Sequence, residues 1–235
     1  MGLLLFSKDL FKKYKRLAQD NWQTTIKTHY HFSSWLLGTS ILQWFSGNFF
    51  LITAASILGT IAVGAVRMGQ NIVGLCHVLF LAMENIVPVE AAQLFLQKGT
   101  HGLTSYLKSS SKKIGLMLII VLSLMALAAT SLIQILYGAS FISYSYVVWG
   151  YCLLYFFVFF GYPARYFFRT LRFTKPIFIA YCASALFSLA VAVPMVQTWG
   201  IMGVLLGLIG SQMMTLFVYS YFIIGHTSVT QLSEL

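Results

Sequence analysis

One predicted helix carries polar side chains along a single side. At about 100° of rotation per residue, these positions share an arc of about 140°. The other side of the same helix is apolar. If the helix crosses a membrane, its polar side needs water, a substrate or protein partners, because lipid offers no hydrogen bonds. The polar set is Arg67, Gln70, Asn71, Gly74, His77, Glu84 and Asn85.

Three of these side chains could carry charge, and each has two interpretations. The planar guanidinium of Arg67 could grip an anion such as a phosphate, or it could extend to the membrane surface. Glu84 could bind a coupling cation or proton, or pair with a lysine. His77 could face a cavity, or be a hydrogen-bonded packing residue. No metal motif, cofactor motif or catalytic signature accompanies them, so we predict no enzyme activity, no metal and no cofactor.

The preceding predicted span has a weaker polar side that includes Gln43. Its hydroxyl and amide groups could line an aqueous cavity, or they could satisfy carbonyl groups between packed helices. For the hydroxyl groups the packing interpretation is favoured, whereas for Gln43 both interpretations stay open. The predicted cavity residues are Arg67, Gln70, Asn71, Gln43 and His77, with Glu84 as the candidate for a coupling ion.

The composition predicts that these helices lie in a membrane. Hydrophobic residues make up 59% of the 235 residues and charged residues 9%, against about 25% charged in soluble domains. A crossing helix needs about 20 apolar residues. The predicted fold is therefore an all-α membrane protein, a bundle of six transmembrane helices. The spans are about Trp35–Ile57, Arg67–Val87, Ile114–Tyr137, Tyr146–Tyr166, Ile177–Gln197 and Ile201–Ile224.

The basic residues predict the orientation of the bundle. The net charge is +10, and all of the 15 basic residues except Arg67 fall in three segments that alternate with the spans. Basic segments remain on the cytoplasmic side, so both termini are predicted to be cytoplasmic. Residues 1–31 form a basic, interfacial segment, residues 32–225 the six-span lobe and residues 226–235 a cytoplasmic tail. The charge indicates contact with membrane lipids and no nucleic acid.

Short motifs in these spans resemble a known family. They include Trp35–Ser40, Gln43–Asn48, Val63–Arg67, Glu84–Asn85 with Pro88, and Trp199–Gly203. The chain resembles the C-terminal six-helix lobe of polysaccharide flippases. These flippases belong to the multidrug/oligosaccharidyl-lipid/polysaccharide exporter superfamily. Such proteins have two lobes around a central cavity, whereas this chain supplies one.

The resemblance implies export of a lipid-linked oligosaccharide of the undecaprenyl-diphosphate type across a bacterial plasma (inner) membrane. It implies a role in polysaccharide assembly, such as that of lipopolysaccharide O-antigen. The chain would act as a half or truncated flippase by alternating access, with a second six-helix lobe or as a homodimer. Two alternatives stay open: a non-transporting scaffold subunit of polysaccharide assembly, and a multidrug exporter of the same superfamily.

Overall fold

A computed structural model describes the backbone of residues 22–232 and the side chains of Tyr30 and residues 37–225. The described residues form helices and no strand, which confirms the predicted all-helical class. In chain order the helices are α1 (Trp22–Gly74), α2 (His77–Leu127), α3 (Ala129–Tyr137), a short 3₁₀ helix (Ala139–Tyr144), α4 (Ser145–Thr170) and α5 (Lys175–Leu232).

The chain divides into two compact units, residues 1–41 and residues 42–235. The first unit is described as helical backbone from Trp22 onward. Most of the predicted interfacial segment 1–31 lies outside the described residues, as does the end of the predicted tail 226–235. All the contacts and cavities described below belong to the second unit.

Four helical stretches are long and apolar enough to cross a membrane: Leu37–Gly74, His77–Leu127, Ala139–Thr170 and Lys175–Gly225. This differs from the predicted set of six separate helices. The difference arises because two connections predicted as loops, residues 58–66 and 198–200, are almost entirely helical. A single glycine interrupts the helical geometry in each of them, Gly59 in the first and Gly200 in the second.

The longest helix reverses its direction at such a glycine. Helix α5 has 58 residues and would extend about 87 Å if it were straight. Gly200 adopts φ 56° and ψ −130°, a left-handed conformation that residues with a β-carbon rarely adopt. Beyond this point Gly210 lies against the ring of Phe187, although a straight helix would hold these residues about 35 Å apart. The two halves of α5 therefore pack side by side.

Helices α1 and α2 contain equivalent interruptions. Gly59 has φ 81° and Gly99 has φ 64°. Leu51 and Val66, on either side of Gly59, line one cavity. Gly102 lies against the carbonyl group of Leu94 on the other side of Gly99. The chain therefore turns back at both glycines, as it does at Gly200.

The predicted second span, Arg67–Val87, is not one continuous helix. Helix α1 ends at Gly74 and α2 begins at His77. Across the break, Cys76 N donates to Val73 O at 2.9 Å and Leu79 N donates to Cys76 O at 3.0 Å. Each of these bonds joins residues three positions apart instead of four, as in a 3₁₀ turn. The polar residues before and after this turn therefore no longer follow one continuous side of a single helix.

Helix α4 lies at the centre of the second unit and contacts both α2 and α5. Its Tyr162 ring stacks on Phe80 of α2, with ring centroids 4.8 Å apart. The apolar side of the predicted second span packs into this core, where Met68, Ile72 and Met83 are buried. The polar side of that span is therefore left to border open space.

Buried hydroxyl groups link α1 with both halves of α5. Ser188 Oγ lies 2.9 Å from Ser211 Oγ, 2.9 Å from the Ser184 carbonyl oxygen and 3.4 Å from the Ser46 carbonyl oxygen. Ser188 is fully buried. Hydroxyl groups of this kind connect helices where lipid cannot provide hydrogen bonds.

We expect Ser188→Ala to destabilise the bundle by about 0.6–1.7 kcal/mol, because it removes the hydroxyl that joins these three segments. Thermal unfolding in detergent measures the change. The matched control is Ser220→Ala, because Ser220 lies on the same helix but is exposed. Equal melting temperatures for the two variants would show that the hydroxyl contacts do not stabilise the packing.

Candidate functional site

A polar cavity of about 480 Å³ lies within the helix bundle. Ligand cavities in proteins usually measure about 300–1,000 Å³. Its wall combines charged, amide and hydroxyl groups from four helices, α1, α2, α4 and α5. The polar residues of the wall are Gln43, Ser46, His77, Glu84, Tyr155, Tyr162, Arg165, Tyr181, Ser184, Ser211, Gln212, Thr215 and Tyr219.

Helix α4 places Arg165 in this wall. Tyr155, Val158, Tyr162 and Arg165 all line the cavity, and their spacings of three and four residues put them on one side of the helix. The guanidinium carbon lies 4.3 Å from the centroid of the Tyr162 ring, a distance typical of a cation–π contact. The aromatic face therefore holds the cation in place without neutralising it.

The guanidinium of Arg165 has an unmet hydrogen-bonding requirement. Its Nε atom is shielded from solvent and has no acceptor among the described residues. The oxygen atoms of Tyr162, Tyr166, Tyr181 and Tyr219 lie within electrostatic range. Their hydroxyl groups do not provide a formal negative charge. Arg165 is half-buried, and a cation withdrawn from water is normally paired, so an anion in the cavity could serve as the partner of its Nε atom.

Glu84 and His77 line the same cavity from α2. They are two helical turns apart, which places them on one side of that helix. Both are exposed to the open space. Neither Arg165 nor any described lysine approaches the Glu84 carboxylate within 4.0 Å. The cavity therefore contains one guanidinium and one carboxylate that do not neutralise each other directly.

The second half of α5 provides neutral hydrogen-bonding groups. Ser211, Gln212, Thr215 and Tyr219 line the cavity at spacings that form one stripe. The amide nitrogen of Gln212 lies so near Gly161 of α4 that a β-carbon there would come within 3.2 Å of it. A glycine at position 161 thus lets this amide fit between the two helices.

A smaller cavity of about 160 Å³ contains Arg67 and Gln70. Arg67 Nη1 donates to Gln70 Oε1 at 2.7 Å, and the rest of the guanidinium is open because Arg67 is exposed. Gly47, Leu154, Tyr155 and Leu208 line this cavity and the large one. The two cavities are therefore neighbours with a common wall.

The structure distributes the six predicted site residues over three places. Gln43, His77 and Glu84 line the large cavity, and Arg67 and Gln70 line the small one. Asn71 borders neither of these cavities; its Nδ2 atom lies 3.4 Å from the Tyr137 hydroxyl group. The break between Gly74 and His77 accounts for the division, because the two ends of the polar stripe lie on different helices.

Arg165 falls at the end of the predicted fourth span, Tyr146–Tyr166, where a basic segment begins in the sequence. It lies within α4, which continues to Thr170, and it lines the large cavity. The predicted fourth span ended too early because hydropathy falls where the arginines begin. The seven-residue spacing of Tyr155 and Tyr162, followed by Arg165 three residues later, was the signal that could have placed it.

The described residues contain no group of three His, Cys, Asp or Glu side chains that could hold a metal ion. The cavity walls contain groups that can recognise polar ligands. A guanidinium binds oxyanions, amides and hydroxyls bind polar groups in both directions, and tyrosine rings provide flat apolar surfaces. No family model matches the sequence, and no curated protein and no solved structure matches the chain.

Proposed function

We propose that this chain moves a lipid-linked polysaccharide precursor across a membrane by alternating access. The observation that carries the proposal is Arg165, a guanidinium with an unpaired Nε atom in the wall of a polar cavity. The polar head of such a lipid bears a diphosphate, which a guanidinium can bind through two hydrogen bonds. The polyprenyl tail can stay in the bilayer while the head occupies the cavity.

The proposed topology has six crossings with both termini in the cytoplasm. Its support is that α1, α2 and α5 have 53, 51 and 58 residues, far more than the about 20 that one crossing needs. Each of them turns back at a glycine with positive φ. Dividing the helices at these glycines yields stretches that overlap the six segments expected from hydropathy, with different ends. The basic segments then lie on one side, as the positive-inside rule requires.

The proposed working unit includes a second six-helix lobe, from a partner chain or from a second copy. Transporters of this mechanism bind their substrate between two lobes that rock against each other. The large cavity is lined by one lobe and is partly open, so a second lobe would close it. The proposed location is a bacterial plasma membrane, where polyprenyl-diphosphate glycans are the substrates of such flippases.

We predict that Arg165→Gln abolishes translocation, because it removes the charge that attracts the diphosphate. The assay uses proteoliposomes with a polyprenyl-diphosphate oligosaccharide that carries a fluorophore on its terminal sugar. External dithionite quenches only the molecules in the outer leaflet, so the rate of further quenching measures flipping. We expect at least about a tenfold lower rate and partial recovery in Arg165→Lys, which keeps the charge but loses the planar fork.

The matched control is Arg169→Gln, one helical turn further along α4 and exposed. It removes the same charge and should retain the wild-type rate. Equal rates for Arg165→Gln and wild type, with both proteins folded by size-exclusion chromatography, would contradict the proposed role of the cavity. A wild type that flips no lipid-linked glycan in the presence of its partner lobe would contradict the proposed function itself.

A second candidate function is a scaffold subunit for polysaccharide assembly. The observation in its favour is a group of exposed basic residues on α2, Lys108, Lys112 and Lys113, which could dock an acidic partner. Replacing all three with glutamine should then abolish assembly while Arg165→Gln leaves it intact. The multidrug alternative is less favoured by the charges, because Arg165 would repel the cationic compounds that many such exporters carry.

A further inference from the structure

The large and small cavities meet at Gly47. This residue lines both of them, and a β-carbon at this position would meet no atom within 4 Å. Gly47 is exposed, so the space beside it is open and not filled by a neighbouring helix. It differs from other glycines with open surroundings because it borders both cavities.

Each cavity contains one arginine, and the two differ in their partners. Arg165 lies over a tyrosine ring in the large cavity, while Arg67 is hydrogen-bonded to Gln70 in the small one. The two residues lie on different helices, α4 and α1. The wall that their cavities share also contains Tyr155. Arg165 is ten residues from Tyr155 on α4, about 15 Å along the helix, so it lies well beyond this shared wall.

We propose that the two cavities form one path with two successive anion-binding positions, and that Gly47 is the opening between them. The head group binds first at one arginine and then passes Gly47 to the other. This inference rests on the proposed function and adds a route to it. Two separate cations lower the free-energy barrier to moving the anion along this path more than one cation would. A single strong site in a low-dielectric region would hold the anion too tightly to release it.

The test fills the opening without removing either arginine. Gly47→Leu places a side chain in the open space, and it should not disturb the fold because nothing lies within 4 Å of the new β-carbon. The matched control is Gly64→Leu. Gly64 belongs to the same helix, it is also surrounded by open space, and it lines neither cavity. Both variants replace glycine inside a helix, so both gain similar helix propensity.

Two readouts are needed, and the first is binding. Calorimetric titration of the purified protein with inorganic pyrophosphate should reveal two binding events in the wild type. Arg165→Gln and Arg67→Gln should each remove one of them. Gly47→Leu should keep both, with affinities within about twofold of wild type. A single binding event that requires both arginines would overturn the proposal, because the arginines would then form one site.

The second readout is flipping in proteoliposomes. We expect Gly47→Leu to lower the rate by at least about tenfold and Gly64→Leu to leave it unchanged. A Gly47→Leu protein that flips at the wild-type rate overturns the inference, although the proposed function stands. If the wild type binds pyrophosphate in two events but flips nothing with its partner lobe present, the two positions stand and the proposed function fails.

Discussion

Gly207→Val is expected to destabilise the bundle strongly, because position 207 has no room for a β-carbon. The ring of Phe50 on α1 occupies the space where that carbon would lie. Phe50 is itself fully buried, so its ring has nowhere to move. Overpacking of this kind costs about 1–3 kcal/mol, and the branched valine should reach the upper part of that range. Thermal unfolding in detergent micelles measures the loss.

A double mutant separates this steric conflict from other causes. Phe50→Ala alone should also destabilise the protein, because it leaves a cavity in the core. The double mutant should lose less stability than the two single mutants lose together, because the valine fills space that Phe50→Ala leaves empty. We expect a coupling free energy of about 1–2 kcal/mol. Additive changes in the free energy of unfolding would show that the side chains at the two positions do not interact.

Gly64→Val is the matched control for the steric argument. It introduces the same side chain into a helix of the same unit, but nothing lies within 4 Å of its β-carbon. It should change the melting temperature little. If Gly64→Val and Gly207→Val were equally harmful, the cause would be the β-branched residue in a helix, not contact with Phe50.

The second large effect is expected from Phe80→Ala. Phe80 is almost fully buried, stacks on Tyr162 at 4.8 Å and contacts the Tyr155 ring at 5.7 Å. Removing a buried phenylalanine costs about 3–5 kcal/mol in soluble proteins. Lipid is as apolar as this core, so the transfer contribution is smaller, and we expect about 2–3 kcal/mol.

Phe80→Ala should also weaken anion binding, because the Tyr162 ring that carries the Arg165 guanidinium loses its support. Pyrophosphate affinity should fall by about fivefold or more, by an effect transmitted through Tyr162. Phe80→Leu, which keeps most of the volume, should recover part of both losses. The control is Phe217→Ala, because Phe217 is 70% exposed. A Phe80→Ala protein that loses stability yet binds pyrophosphate like wild type would limit the role of Phe80 to packing.

Hydropathy and periodicity were sufficient for the helical class, but not for the number of long apolar helices, which is four and not six. Hydropathy and periodicity depend only on residues that are close in sequence, so they need no knowledge of the tertiary structure. The same is true of the polar side of the predicted second span: Arg67, Gln70, His77 and Glu84 all border a cavity. Its apolar side is buried only in part: Met68 and Ile72 are in the core, whereas Leu75 at the break is exposed.

The sequence alone therefore determined that this chain is helical, with apolar stretches and one polar stripe. Only the tertiary structure decided how the stripe is used. The turn between Gly74 and His77 divides it between two cavities, and no local signal in the sequence sets that angle. Arg165 stands beside a basic segment that includes Arg169 and Arg172, and the sequence did not single it out as a cavity residue. It lies in a cavity wall because α2 and α5, which are distant in sequence, pack around α4 at that point.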